Sequence, residues 1–228
     1  MKSGLTALVG ILPSSRIKNF LLRRLGHLVP ATASIGPVLI VGGTSLDLGE
    51  YVRIGPFNVF RGLSALRLGA HAEIGQWNWI SAAPFLVEAS DFPFAGQFAL
   101  GEHSSFTSRH YADASGGVLI EEFVTIAGVR SVFMSHGIDA TDNVLDTAAI
   151  TVGKYAMVGG NCNFVLGASV PEYSIVAMGS LVIKGLDKPF SLYAGSPAKY
   201  KKAVEQGAYF SRRVGAVPPR ARRSLAKA

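Results

Sequence analysis

Residues 152–183 read VGKYAM-VGGNCN-FVLGAS-VPEYSI-VAMGSL-VI, and this stretch decides the fold. Val152, Val158, Phe164, Val170, Val176 and Val182 recur every six residues. Four positions after each of the first five stands a small residue: Ala156, Cys162, Ala168, Ser174 and Ser180. A helix repeats every ~3.6 residues and a strand every ~2, so neither gives a period of six. One large and one small inward position per hexapeptide describes a β-solenoid shaped as a prism, one hexapeptide per flat side. Three sides make a coil of roughly eighteen residues, and coils stack at roughly 4.8 Å.

The register extends upstream with breaks. Leu48, Ile54 and Phe60 form one run; Leu68, Ile74 and Ile80 another; Leu100 and Phe106 a third; Ile120, Ile126 and Val132 a fourth. Ile35-Gly36, Leu48-Gly49, Ile54-Gly55, Leu68-Gly69, Ile74-Gly75 and Leu100-Gly101 repeat one apolar-Gly pair. The breaks at 61–67 and 107–119 are short enough for corner bulges. Those at 81–99 and 133–151 must leave the prism as loops, and loops on a rigid scaffold commonly carry function.

The 228 residues suit one folded domain, and the hydrophobic fraction of 49% gives it ample core. A single cysteine, Cys162, allows no internal disulfide and suits a reducing cytoplasm. It occupies a small inward position and reads as a buried thiol, neither ligand nor nucleophile. No apolar run is long enough to span a membrane. The apolar segment 5–12 lacks a cleavage site and does not read as a signal peptide.

Charge is segregated. Residues 1–30 hold Lys2, Arg16, Lys18, Arg23 and Arg24 and no acid; residues 199–228 hold nine Lys or Arg against Glu205 alone. The total is +7, so the middle of the chain is acidic. Nucleic-acid binding would place basic and aromatic residues along the scaffold, and it is excluded on that ground. The spacing of Ile17, Phe20, Leu21, Leu25 and Leu28 predicts an amphipathic helix capped by Ser14 or Ser15 and ended by Pro30. It either covers the open end of the prism or lies on an anionic membrane surface. Residues 1–34 are thus a cap, 35–189 the solenoid, and 190–228 a C-terminal segment with a short helix near 200–210 and a disordered basic tail from Ser211.

The hexapeptide run, the segment Gly195-Ser196-Pro197-Ala198-Lys199 and the block Ile120–Asp139 ending Ser135-His136-Gly137-Ile138-Asp139 resemble the left-handed β-helix acyltransferases. The resemblance covers about 35–202 and is nearest to sugar O-acetyltransferases of polysaccharide and lipopolysaccharide biosynthesis. It implies an all-β, left-handed parallel β-helix, a homotrimer, and acetyl transfer from acetyl-coenzyme A to a saccharide hydroxyl, lipid-linked in one reading, with no metal. Handedness comes from the resemblance alone, since crossovers are ordinarily right-handed.

The resemblance makes His136 the general base, a role that suits imidazole near neutral pH. His110, Asp113 and Asp139 are candidates for acceptor binding, Asp139 also for orienting the imidazole. Coenzyme A would meet Ala127, Gly160, Met178, Ile183, Lys184, Lys199 and Lys202: small residues for the pantetheine arm, lysines for the phosphates. His71 and His103 read as surface residues and His27 as part of the N-terminal helix. Zinc held by His103, His110 and His136 is disfavoured by their spacing. Two alternatives stand beside this reading. One is a sugar-nucleotide N-acetyltransferase, whose usual extra N-terminal domain 34 residues cannot supply. The other is a non-catalytic scaffold, which would not need His136.

Overall fold

The structure, a computed structural model, describes residues 2–219. The six large residues of 152–182 are all inside, the most exposed being Val170 at 3%, and their five small partners are fully buried. The chain winds through three parallel sheets of nine, seven and six strands, the faces of a prism. The first face runs from Ser34–Ile35 to Ser191–Ala194, the second from Leu39–Val41 to Leu181–Val182, the third from Leu46–Leu48 to Ser169–Val170. Like stacks on like: Ile54, Ile74, Phe106, Ile126, Val158 and Val176 form one interior column.

The interrupted register has a simple cause. Third-face strands of the earlier coils bury two residues each, as Leu46 with Leu48, Leu66 with Leu68, and Val118 with Ile120. Those coils therefore take nineteen or twenty residues, with Ile35 beneath Ile54, Ile54 beneath Ile74 and Phe106 beneath Ile126. The last takes eighteen, with Val158 beneath Val176. The break at 61–67 is scaffold, and so is 107–119, where Ala112 fills the interior position between Ile80 and Phe133. Alanine is too small to be recognised there by size. Val132 is not an interior residue: Phe133 is, stacked on Phe164 at 4.6 Å, while Val132 faces outward. The loops are narrower than expected. One leaves after Ser81 and returns at Gln97 with a short helix, Pro84–Glu88; the other leaves after Met134 and returns at Ile150 with a hairpin, His136–Asp139 against Val144–Thr147. Both depart from the corner between the second and third faces.

The other corners carry ladders. Where the third face turns into the first, Tyr51, His71, His103, Phe123, Tyr155, Tyr173 and Phe190 stack with centroids 4.6–5.3 Å apart. Each sits at positive φ, 50–59°, a conformation side chains other than glycine rarely adopt. Stacking at about 0.5–1.5 kcal/mol per pair offsets that strain. Where the first face turns into the second, the corner is lined inside by Asn58, Asn78, His110, Ser131, Cys162 and Ser180, all buried. They bond coil to coil: Asn58 accepts from Asn78 N–H, Asn78 from His110 N–H, His110 from Ser131 N–H, and Ser131 from Cys162 N–H.

The ends depart from expectation. The apolar segment 5–12 belongs to a helix, α1 (Lys2–Gly10), followed by α2 (Arg16–Arg24), which Ser15 caps. In α2 the expected apolar stripe is not the buried side. Lys18, Asn19 and Leu22 are buried, whereas Ile17, Phe20 and Leu28 are exposed. The open end of a prism presents unpaired carbonyls, which need donors more than hydrocarbon. The Lys18 amine reaches the carbonyls of Gly10, Leu12, Ile35 and Gly36 at 2.7–3.2 Å, and Asn19 donates to Pro30 and Ala33. Burial lowers the Lys18 pKa to about 8. His27 lies beyond α2 and accepts from Leu46 N–H on the third face.

At the other end, no helix covers 200–210. Lys199–Ala203 folds back antiparallel on Ser191–Ala194, closing the edge of the first face, and a single 3-10 turn spans Ala208–Ser211. The tail through 219 is ordered along the aromatic corner. Arg212 lies over Phe123, Tyr155 and Tyr209 and donates to Phe123 O, and Gly215 N–H meets His103 Nδ1. The expectation of disorder for 220–228 falls outside the described residues.

Candidate active site

His136 begins the hairpin at the corner between the second and third faces. Its Nδ1 lies 2.8 Å from Asp113 Oδ1. Asp113 ends the second-face strand Tyr111–Asp113, whose register sets it beside Met134, so one coil's strand end meets the next coil's loop start. The carboxylate also accepts from Ser115 N–H, Ser115 Oγ–H and Ser135 Oγ–H. Ser135 Oγ in turn accepts from Gly116 N–H, and Ser115 Oγ from Ala83 N–H at the start of the other loop. The other partners of Asp113 are N–H and O–H donors, so its carboxyl is the acceptor of this cluster; with His136 Nδ1–H donating to it, Nε2 is the ring nitrogen without a partner, on a half-exposed side chain. Asp113 is thus placed to orient His136, and Ser115 and Ser135 complete its setting. The sequence assigns these serines no role, Ser135 standing only within the motif that carries the resemblance, although Asp113-Ala114-Ser115 carries the pattern of an Asx turn.

The remaining candidates lie elsewhere. His110 is buried in the corner ladder; it accepts from Ser131 N–H at Nδ1 and meets Thr107 Oγ1 at 2.9 Å through Nε2. Both nitrogens are used, and desolvation lowers its pKa to about 4, so it is a neutral structural histidine with no atom to offer an acceptor. Asp139 caps its own hairpin, accepting from Thr141 and Asp142 N–H, and does not touch the imidazole. His103, His110 and His136 occupy three different corners. No cluster of three or more metal-ligating side chains occurs among the described residues. Cys162 is buried beside Ala177 O at 3.2 Å, and desolvation raises its pKa.

Ala127, Gly160 and Met178 lie on three successive coils at the corner between the first and second faces, Gly160 and Met178 in one column with Gly128 and Ala127 one residue before it. Coils touch closely there: a Cβ on Gly128 would meet Gly160 Cα at 2.8 Å, and one on Gly159 would meet Met178 N at 2.6 Å. Met178 is 77% exposed. The column runs down to Gly195, which accepts from Leu181 N–H, and to exposed Lys199 and Lys202. Ile183 and Lys184 lie at the His136 corner, two coils on and roughly 10 Å away. Within one chain the whole second face separates His136 from the Ala127–Met178 corner. A groove of about 1050 Å³ is at neither place; it runs between the tail and the first face, past Arg53, Glu73 and His103.

No family model and no curated protein matches this sequence. Solved structures do match. A hexapeptide transferase family protein from Anaplasma phagocytophilum is 21% identical, with 74% of this chain and 84% of that one covered and a TM-score of 0.54. A mutant of AntD, an N-acyltransferase from Bacillus cereus in complex with dTDP and coenzyme A, is 16% identical over 81% and 88%, TM-score 0.52. A hexapeptide-repeat acetyltransferase from Vibrio cholerae, complexed with acetyl-coenzyme A, is 15% identical over 90% and 86%, TM-score 0.51. The fold is therefore the left-handed parallel β-helix built of hexapeptide repeats.

Proposed function

We propose that this protein is an acetyl-coenzyme A-dependent O-acetyltransferase acting on a saccharide hydroxyl, with His136 as general base. The observation that carries the reading is the His136–Asp113 pair at 2.8 Å, which leaves Nε2 free at the rim. Acetyl-coenzyme A would supply the activated acyl group. His136 Nε2 takes the proton from the acceptor hydroxyl as its oxygen bonds to the thioester carbonyl carbon. The C–S bond then breaks, and His136 returns the proton to the departing sulfur. Asp113 holds the imidazole and stabilises its cationic form between those events.

The reading includes a trimer. The two halves of the site lie on the two corners that bound the second face. If that face turns toward a threefold axis, the His136 corner of one chain meets the Ala127–Met178 corner of the next. Composition supports the choice. One outward column of the second face is Leu39, Val59, Trp79, Tyr111, Val132, Asn163 and Leu181, whereas the matching first-face column is Ser34, Arg53, Glu73, Ser105 and Thr125 over the first five coils and becomes apolar, Met157, Ile175 and Leu192, only at the last three. An apolar face is what an obligate interface buries. The test is incubation with acetyl-coenzyme A and a panel of lipid-linked, nucleotide-linked and amino sugars, read by mass spectrometry. Transfer to a hydroxyl that His136→Ala abolishes is expected; transfer only to an amine would replace O- by N-acetylation. No transfer to any sugar would leave a scaffold.

A further inference from the structure

The cap at the start of the prism has two sides, and only one is used by the fold. Its inner side is polar: Lys18 and Asn19 hold carbonyls of the first coil, beside Leu22. Its outer side carries Leu5, Leu8, Ile11, Ile17 and Phe20, all exposed, with Ile17 at 70% and Leu8 at 62%. Lys2, Arg16 and Arg24 are exposed beside them, and Arg24 lies over the Phe20 ring at 5.4 Å. Residues 1–46 contain no Asp or Glu.

We propose that the outer side of α1 and α2 docks on an anionic lipid surface, its apolar side chains entering the headgroup boundary and its basic side chains pairing with lipid phosphates and carboxylates. Three arguments favour lipid over other occupants. The patch pairs hydrocarbon with cations and has no acids, the pattern of an interfacial helix. A second copy docked head to head would oppose two uniformly basic surfaces, which is repulsive. A trimer with its axis along the prisms, as proposed above, places all three caps at one end, facing one plane. That fits a flat membrane, and three weak contacts add through avidity. The patch exists in each chain, so vesicle binding tests it whatever the reaction proves to be. No helix among the described residues is long and apolar enough to cross a membrane, so the contact is peripheral.

The experiment is co-sedimentation of the full chain with phosphatidylcholine vesicles, with and without phosphatidylserine, at low and high salt. Binding is expected with phosphatidylserine at low salt and should weaken as salt screens it. Each basic residue near an anionic leaflet is worth roughly fivefold in partition, so Arg16→Gln/Arg24→Gln should lower binding roughly 25-fold. Leu8→Ser/Ile17→Ser/Phe20→Ser should abolish it, with circular dichroism checking that the exposed substitutions spare the fold. If that triple variant unfolds, the arginine pair still decides. Absent binding to phosphatidylserine vesicles at low salt overturns the proposal, as does equal binding to pure phosphatidylcholine. A double trimer in sedimentation velocity that the triple variant splits would also overturn it, making a second copy the occupant.

Discussion

Asp113→Asn is the most informative single change. The carboxylate holds His136 through one 2.8 Å bond and is itself fixed by Ser115 and Ser135, so an isosteric amide keeps the shape and removes the charge. A hydrogen bond to a charged group is worth about 1.5–3 kcal/mol. That stabilisation matters when the imidazole becomes cationic, so kcat should fall about 10- to 150-fold. KM for acetyl-coenzyme A should hold, because the donor column lies on another corner. His136→Ala should lower kcat by about 10²–10⁴. Asp113 acts through His136, so adding Asp113→Asn to His136→Ala should cost little more, a non-additive cycle. The assay is thiol release from acetyl-coenzyme A with a responsive acceptor, with the thermal midpoint checking the fold. Fully additive losses, or a wild-type kcat for Asp113→Asn, would refute the pairing as a working unit.

His110, held neutral with its pKa near 4 against about 6.5 when unfolded, contributes stability that is fully present above pH 6.5 and lost as pH falls toward 4. The loss is about 3 kcal/mol, and denaturant titrations across that range should show it flattened in His110→Asn. Phe133→Ala should cost about 3–5 kcal/mol as an interior ring is lost, whereas outward Val132→Ser should leave the unfolding midpoint of the isolated chain nearly unchanged; the reverse order would restore the simple six-residue register. Val132→Glu/Leu181→Glu should yield folded but inactive monomers by light scattering. Co-expression of His136→Ala with Ala127→Trp should recover activity that neither has alone, because one interface would then carry an intact half from each chain; no recovery would place the whole site within one chain.

The hexapeptide columns were legible because size repeats at a fixed interval, and from Val152 onward nothing interrupts it. Upstream, two residues per strand on the third face shifted the phase, and Ala112 hid in a position that Ile80 and Phe133 fill below and above it. His136 was singled out through the resemblance, which sets a histidine at the start of this loop. Its link to Asp113 was not legible, since it depends on how two coils twenty-odd residues apart align at a corner. The cap misled for a chemical reason: an amphipathic helix normally buries its hydrocarbon, but the end of a β-prism needs hydrogen-bond donors, and Lys18 and Asn19 supply them.

The docked tail changes how the solenoid can come apart. Coils in such a structure touch only their neighbours, so an end coil can peel away without disturbing the rest. Here Phe210 meets the rings of Phe190 and Tyr173, Tyr155 Oη donates to Arg212 O, Arg212 reaches Phe123, and Gly215 reaches His103. The segment acts as a tie rod laid across successive rungs, with a long sequence gap between the parts it joins. To fray the last coil is to loosen the rod along the rungs from Phe190 back to His103, so those coils are coupled beyond their nearest neighbours.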